Sequence, residues 1–227
     1  MARRGPGRHD DWTTPVSSAL GMAGFLGVVF IGFTLLAAGP LIAIDTYFNL
    51  DPPPPAWLTF LQALDRVGQR AVCLPILGVV VFLCWRRTRS WRPVLLAGAA
   101  VFSLNLLVLI LKVGLGRGQP GLADPSFFVG GMAYPSGHTA NIVLVYGLAV
   151  YLLGQYLHVS RRTYALGWVL VVGLSLLMVA VSMTLNWHWF ADLVAGLLVG
   201  GVVLELSVAA DLGYRPVRGP LAKLLRV

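Results

Sequence analysis

The chain has 227 residues, of which 57% are hydrophobic and only 11% charged, and its mean hydropathy is +0.79. Soluble domains are about one quarter charged, and a chain of this size keeps too much surface for so few polar groups to cover. A water-soluble globule and a disordered chain are both excluded, and the net charge of +8 needs a reading other than nucleic-acid binding.

A bilayer-spanning helix needs about 20 mostly apolar residues. In chain order the candidates are Ala19 to Ala43, Ala71 to Trp85, Pro93 to Leu111, Thr139 to Leu157, Tyr164 to Leu185 and Trp189 to Leu204. The first is too long and too late for a signal peptide. An amphipathic stretch, Trp57 to Gln69, precedes the short second span. The proline run Pro52 to Pro55 reads as an extended linker at the surface, because it cannot be helical and cannot lie in lipid. The expected fold class is therefore all-α: residues 16–212 form a single six-span membrane domain, flanked by basic tails at 1–15 and 213–227.

Cationic loops stay cytoplasmic. With the N-terminus inside, 13 of the 17 Lys and Arg fall on the inner side, and only Arg66, Arg70, Lys112 and Arg117 fall outside. The high pI is thus a topology signal. It implies a multi-pass protein of a plasma (inner) membrane, with both termini cytoplasmic. Cys73 and Cys84 share the second span, about 16 Å apart by helical rise, too far for a disulfide; they read as core residues. Trp57, Trp187 and Trp189 fall near outer boundaries, where tryptophan anchors to headgroups. Glu205, deep in the last span, is read as a snorkelling side chain.

Three polar clusters meet the same outer surface. Lys112 ends the third span, with Arg117, Gln119 and Asp124 in the loop behind it. Tyr134-Pro135-Ser136-Gly137-His138-Thr139 opens the fourth span. Asn186 to Asp192 joins the fifth to the sixth. On a helix His188 and Asp192, four apart, would share a face. A carboxylate there would take the Nδ1 proton and leave Nε2 as a lone pair, which makes an imidazole a nucleophile. The plainer reading is a His/Asp pair at a helix start satisfying its own polar atoms. A carboxylate inside a span is nonetheless costly enough to mark function. Ser136 and Gly137 would stand at a positive helix end suited to an anion, and His138 could give a proton to a departing oxygen. Lys112 is either a fixed cation for that anion or a snorkelling lysine. Arg117, between Gly116 and Gly118, either swings toward the anion or stays a solvated loop charge. A phosphate site short of charge would have to borrow from Arg66 and Arg70.

Lysine, then Pro-Ser-Gly-His, then histidine with aspartate four residues on, in this order across six spans, resembles the type 2 phosphatidic-acid phosphatase superfamily. These are membrane lipid phosphate phosphatases sharing a helical core with vanadium haloperoxidases. The likeness runs from about Leu58 to Leu204. In the first family motif, lysine, six residues, Arg-Pro, this chain has Lys112 and Pro120 but Gln119 for the arginine. The second motif is intact. In the third, Ser-Arg, five residues, His, three residues, Asp, it has His188 and Asp192, but Val181 and Ser182 replace Ser-Arg.

The resemblance implies that His188 attacks phosphorus to form a phosphohistidine, Asp192 orients it, and His138 protonates the leaving alkoxide. Lys112, Ser136 and Gly137 would hold the phosphoryl oxygens, with Gln119 and Ser182 offering neutral donors and Arg117 replacing one lost charge. No metal or other cofactor is implied. The expected partners are the bilayer and a lipid phosphate bound at the extracytoplasmic face: a polyprenyl (di)phosphate, phosphatidic acid or phosphatidylglycerol phosphate. A phosphotransferase would use the same residues, and a non-catalytic lipid or solute carrier would reuse only the fold.

Overall fold

The computed structural model describes residues 15–122 and 124–213, and the described residues are helical with no strand. The helices are α1 (Val16–Ala37), α2 (Ile42–Tyr47), α3 (Pro55–Asp65), α4 (Arg70–Thr88), α5 (Arg92–Leu115), α6 (Gly137–Asn141), α7 (Gly147–Leu157), α8 (Arg161–Thr184) and α9 (Phe190–Gly213). A π-helical turn, Ile142–Tyr146, fuses α6 and α7 into one span. With α1, α4, α5, α8 and α9 this makes six helices long and apolar enough to cross a membrane, so the chain is a multi-pass membrane protein. The expected basic tails lie, apart from residues 15 and 213, outside the described residues.

The first span is shorter than its apolar run. Pro40 has no N–H to continue the ladder and disfavours helical backbone at Gly39, so α1 stops at Ala37 and α2 starts afresh at Ile42. That break delivers Asp45, which the uncharged-run reading passed over. The proline run is extended only in part, since Pro55 is already the first residue of α3, a position where proline is favoured. The last span continues past Leu204 to Gly213 and carries Glu205, half-buried, within it. Helix ends follow their local chemistry: α5 closes on Gly116 at φ 50°, whose N–H bonds the carbonyl of Lys112 at 2.9 Å. The Ser160 hydroxyl caps α8 by accepting from the amide of Thr163 at 3.2 Å.

Two spans form the centre. Gly137–Leu157 and α9 are 67% and 56% buried along their apolar windows, against 11–28% for the other four. They meet through glycines. A Cβ on Gly196 would lie 2.1 Å from Thr139 Oγ1 and 2.4 Å from the carbonyl oxygen of Ser136, and one on Gly200 would lie 2.6 Å from the carbonyl oxygen of Ala140. This is the small-residue seam by which helices approach closely in lipid. Helix α1 lies along α9, where a Cβ on Gly201 would stand 3.0 Å from Leu26, and it buries Ala19 and Ala23. Cys73 and Cys84 are both buried and unbridged.

At one end of the bundle Asp211 of α9 is buried and fully engaged. Its Oδ1 accepts from Arg92 Nε at 2.6 Å and Tyr156 Oη at 2.7 Å, and its Oδ2 from Tyr151 Oη at 2.7 Å. The other end, where α1, α5 and α8 finish and α4, α6 and α9 begin, carries the polar residues considered next.

Candidate functional site

Residue Trp189 is the cap of α9 and Asp192 its third residue. The Asp192 Oδ2 atom reaches back to the Trp189 amide at 3.0 Å, the reciprocal half of a capping box, where an anion also suits the helix dipole. His188 therefore precedes the helix and does not lie on it. The pairing expected from helical spacing survives by another route, with Nδ1 of His188 3.4 Å from Asp192 Oδ2. The His188 side chain keeps 13% exposure, whereas Asp192 has none.

Behind Asp192 stands Arg117. It is wholly buried, so the reading as a solvated loop charge gives way, and its donors are taken up within the protein. Its Nη1 donates to Asp192 Oδ1 at 2.7 Å, its Nη2 donates to Asp45 Oδ2, and its Nε donates to the carbonyl of Pro125 at 2.9 Å. The guanidinium lies over the Phe127 ring at 4.9 Å and the Tyr134 ring at 5.8 Å. Asp45 in turn accepts the amide of Ala191 at 2.8 Å, so a short helix far back in sequence caps α9 from outside. Burial pushes the Asp45 carboxyl above its ordinary range, against the pull of the Ala191 amide and the Arg117 guanidinium. The loop that carries Arg117 is folded tightly on itself: a Cβ on Gly131 would stand 2.1 Å from the Arg117 carbonyl oxygen.

The Pro-Ser-Gly-His stretch starts the central span beside Asp192, and the amide of Ser136 bonds the Asp192 carbonyl at 2.9 Å. The peptide between Tyr134 and Pro135 is cis. Tyr134 is buried against Phe30 and Phe127, with its hydroxyl 2.6 Å from Thr34 Oγ1, and burial pushes that phenol up to about 12. Ser136 is completely buried, yet its hydroxyl has no hydrogen-bond partner. Gly137 is half-buried at the helix start, with open space where a Cβ would be.

His138 is near enough to Asp65, His188, Lys112 and Arg70 for each to act on its charge, so the polar clusters of the sequence do converge. Lys112 is half-buried, and its Nζ donates to the carbonyls of Met132 and, at 3.5 Å, Ala133, tying the end of α5 to the strap before the motif. The two neutral donors expected at the phosphate differ in setting. Gln119 is exposed. Ser182 is buried and donates its hydroxyl to Asp65 Oδ1 at 3.3 Å. Trp189 is no interfacial anchor, being buried with its Nε1 donating to the Gly118 carbonyl at 2.8 Å, whereas Trp57 and Trp187 are exposed.

Asp45 and Asp65 escaped the sequence reading. The signal that could have found them is the one applied to Asp192: a lone carboxylate in apolar surroundings is too costly to be incidental. Among the described residues no group of three or more His, Cys, Asp or Glu side chains is placed to hold a metal ion.

Comparison with known proteins gives two findings. The PAP2 superfamily pattern matches residues 93–212. Among solved structures, the crystal structure of the first transmembrane PAP2 type phosphatidylglycerolphosphate phosphatase, from Bacillus subtilis, superposes with a TM-score of 0.74 at 18% identity, covering 87% of this chain and 99% of that one. At that identity the likeness speaks for the fold. No curated protein matched the chain.

Proposed function

Since the chain belongs to the PAP2 superfamily, we propose that it cleaves the phosphate monoester or diphosphate of a membrane lipid through a phosphohistidine on His188. The observation that carries this reading is the set of buried side-chain atoms without an aligned partner. Among the described residues they are Ser136 Oγ, His138 Nε2 and Asp65 Oδ2, all at the end of the bundle where His188 and Asp192 stand. Buried polar atoms are normally satisfied; His138 Nε2 and Asp65 Oδ2 stand 3.2 Å from each other, which leaves the Ser136 hydroxyl as the buried donor open to a polar group.

In the proposed reaction Asp192 accepts a hydrogen bond from Nδ1–H of His188, which fixes the tautomer and leaves the Nε2 lone pair to attack phosphorus. The 3.4 Å contact is long, as such contacts are before substrate binds, and tightens as the ring gains charge. As the N–P bond forms, the P–O bond to the lipid breaks, and His138 gives its proton to the departing oxygen. Water then loses a proton to His138 and attacks the phosphohistidine, which releases phosphate and restores His188. Two Lys112 donors are taken by carbonyls, and the third remains for a phosphoryl oxygen, alongside the Ser136 hydroxyl and the Gly137 amide. Arg117 holds Asp192 and does not touch the substrate. The lipid tail stays in the bilayer, so the headgroup arrives sideways between helices. By the distribution of Lys and Arg, this end of the bundle faces away from the cytoplasm.

Purified protein in mixed micelles, given polyprenyl diphosphate, phosphatidic acid and phosphatidylglycerol phosphate, is expected to release inorganic phosphate from at least one, and the His188→Ala variant from none. Transfer of the phosphoryl group to an acceptor with little free phosphate identifies a transferase. Turnover unaffected by His188→Ala refutes the reading.

A further inference from the structure

The departure from the motif at Ser182 has a counterpart in space. Asp65 is the last residue of α3, a helix end where the dipole disfavours an anion, and it is wholly buried. The fold fixes it with care. Ser182 donates to its Oδ1 at 3.3 Å, leaving Oδ2 for something else. The 3₁₀ turn that follows, Arg66–Gly68, is pinned to the central span, since Asn141 Nδ2 donates to the Gly68 carbonyl at 3.1 Å and Tyr146 Oη to the Val67 carbonyl at 3.0 Å. Gly68 permits the approach, for a Cβ there would lie 3.0 Å from the Cβ of His138. The result is Oδ2 of Asp65 3.2 Å from Nε2 of His138, close but not aligned as a hydrogen bond. A small rotation about χ2, a soft torsion for histidine, would align them. An arginine at position 182 would claim Asp65 as an ion pair; serine, a neutral donor, leaves the carboxylate's charge facing His138.

We propose that Asp65 is the positioning residue of the general acid: its Oδ2 holds the Nε2–H of His138, so that Nδ1–H delivers the proton to the departing lipid oxygen. This rests on the phosphatase reading above and deepens it. The site then contains two imidazole–carboxylate pairs, His188–Asp192 for attack and His138–Asp65 for departure. The balance is simple. Doubly protonated His138 gives the Nδ1 proton to the oxygen as the P–O bond breaks, and neutral His138 keeps Nε2–H on Asp65. Its Nδ1 lone pair then takes a proton from the attacking water.

The test compares two esters with the same hydrocarbon tail, an alkyl phosphate and a nitrophenyl phosphate, as kcat/KM for wild type and Asp65→Asn. An alkoxide needs a proton to leave and a nitrophenolate does not. The expected result is a loss of about 100-fold on the alkyl ester, in the range general-acid catalysis supplies, with the nitrophenyl ester changed less than about threefold. Equal losses on both esters would reduce Asp65 to a structural fastening and overturn the proposal. If Asp65→Asn fails to fold, Ser182→Ala, which loosens Oδ1, should show the same split in weaker form, and equal losses there overturn it as well. A wild-type protein that releases phosphate from neither ester instead refutes the phosphatase reading itself.

Discussion

Arg117 and Asp192 form an ion pair at 2.7 Å with neither side chain exposed to any degree. The aspartate proposed to orient His188 is therefore itself oriented, by a cation shared with Asp45. A guanidinium suits this task because its planar fork serves two carboxylates and a carbonyl at once. Removing it leaves two buried carboxylates without their cation. Arg117→Ala should destabilise the protein by about 3–5 kcal/mol and lower kcat, with KM for the phosphate ester nearly unchanged. Thermal unfolding in detergent and steady-state kinetics check this, and a steep rise in KM with normal stability would mean that Arg117 binds phosphate after all.

For Asp192→Asn the loss should fall on the nucleophile. The amide can keep the Trp189 amide contact but holds His188 Nδ1 less well and leaves Arg117 unbalanced. A drop in kcat of roughly 10²–10⁴ is expected, by analogy of role with the orienting carboxylate of a catalytic triad. Trapping of a phosphorylated protein on acid quench should fall in step.

The pH dependence of stability bears on Asp45. Burial raises its folded-state value above that of the unfolded chain. Between the two values the folded protein binds the extra proton, so the contribution of this group is present at low pH and declines as pH rises through the raised value. Asp45→Asn cannot titrate. The difference in Tm, wild type minus Asp45→Asn, should shrink from about pH 4 upward and then level off. A difference that grows over that range would contradict the assignment.

Gly196→Ala tests the seam between α9 and the central span. In an open helix alanine stabilises by about 1 kcal/mol over glycine, but here the new methyl meets Thr139 Oγ1 at 2.1 Å and the Ser136 carbonyl at 2.4 Å. The helices must part, and Ser136 and Asp192 ride on opposite sides of the seam. Both Tm and kcat should fall, whereas Gly213→Ala, with open space at its Cβ at the end of α9, should lower neither.

Much of the fold was legible because lipid enforces a simple rule, that backbone polar groups be satisfied within each helix. Six apolar runs became six helices, misplaced mainly at ends such as Gly39-Pro40, where a local break outweighs average hydropathy. The meeting of His138, His188 and Lys112 could be read because each sits at a span end of the same parity. The roles of Arg117 and Ser182 could not, because they depend on Asp45 and Asp65, 72 and 117 residues away. A buried cation and a solvated one look alike in a sequence, and only the position of the answering carboxylate separates them.

The uneven burial of the six helices divides labour within the bundle. His138 and Asp192 ride on a tight inner pair clasped by glycines, while the four outer helices leave most of their surface unburied. Adaptation to a thicker bilayer or a different acyl chain can thus proceed by repainting the periphery, and the spacing of the chemical groups need not change to accommodate it.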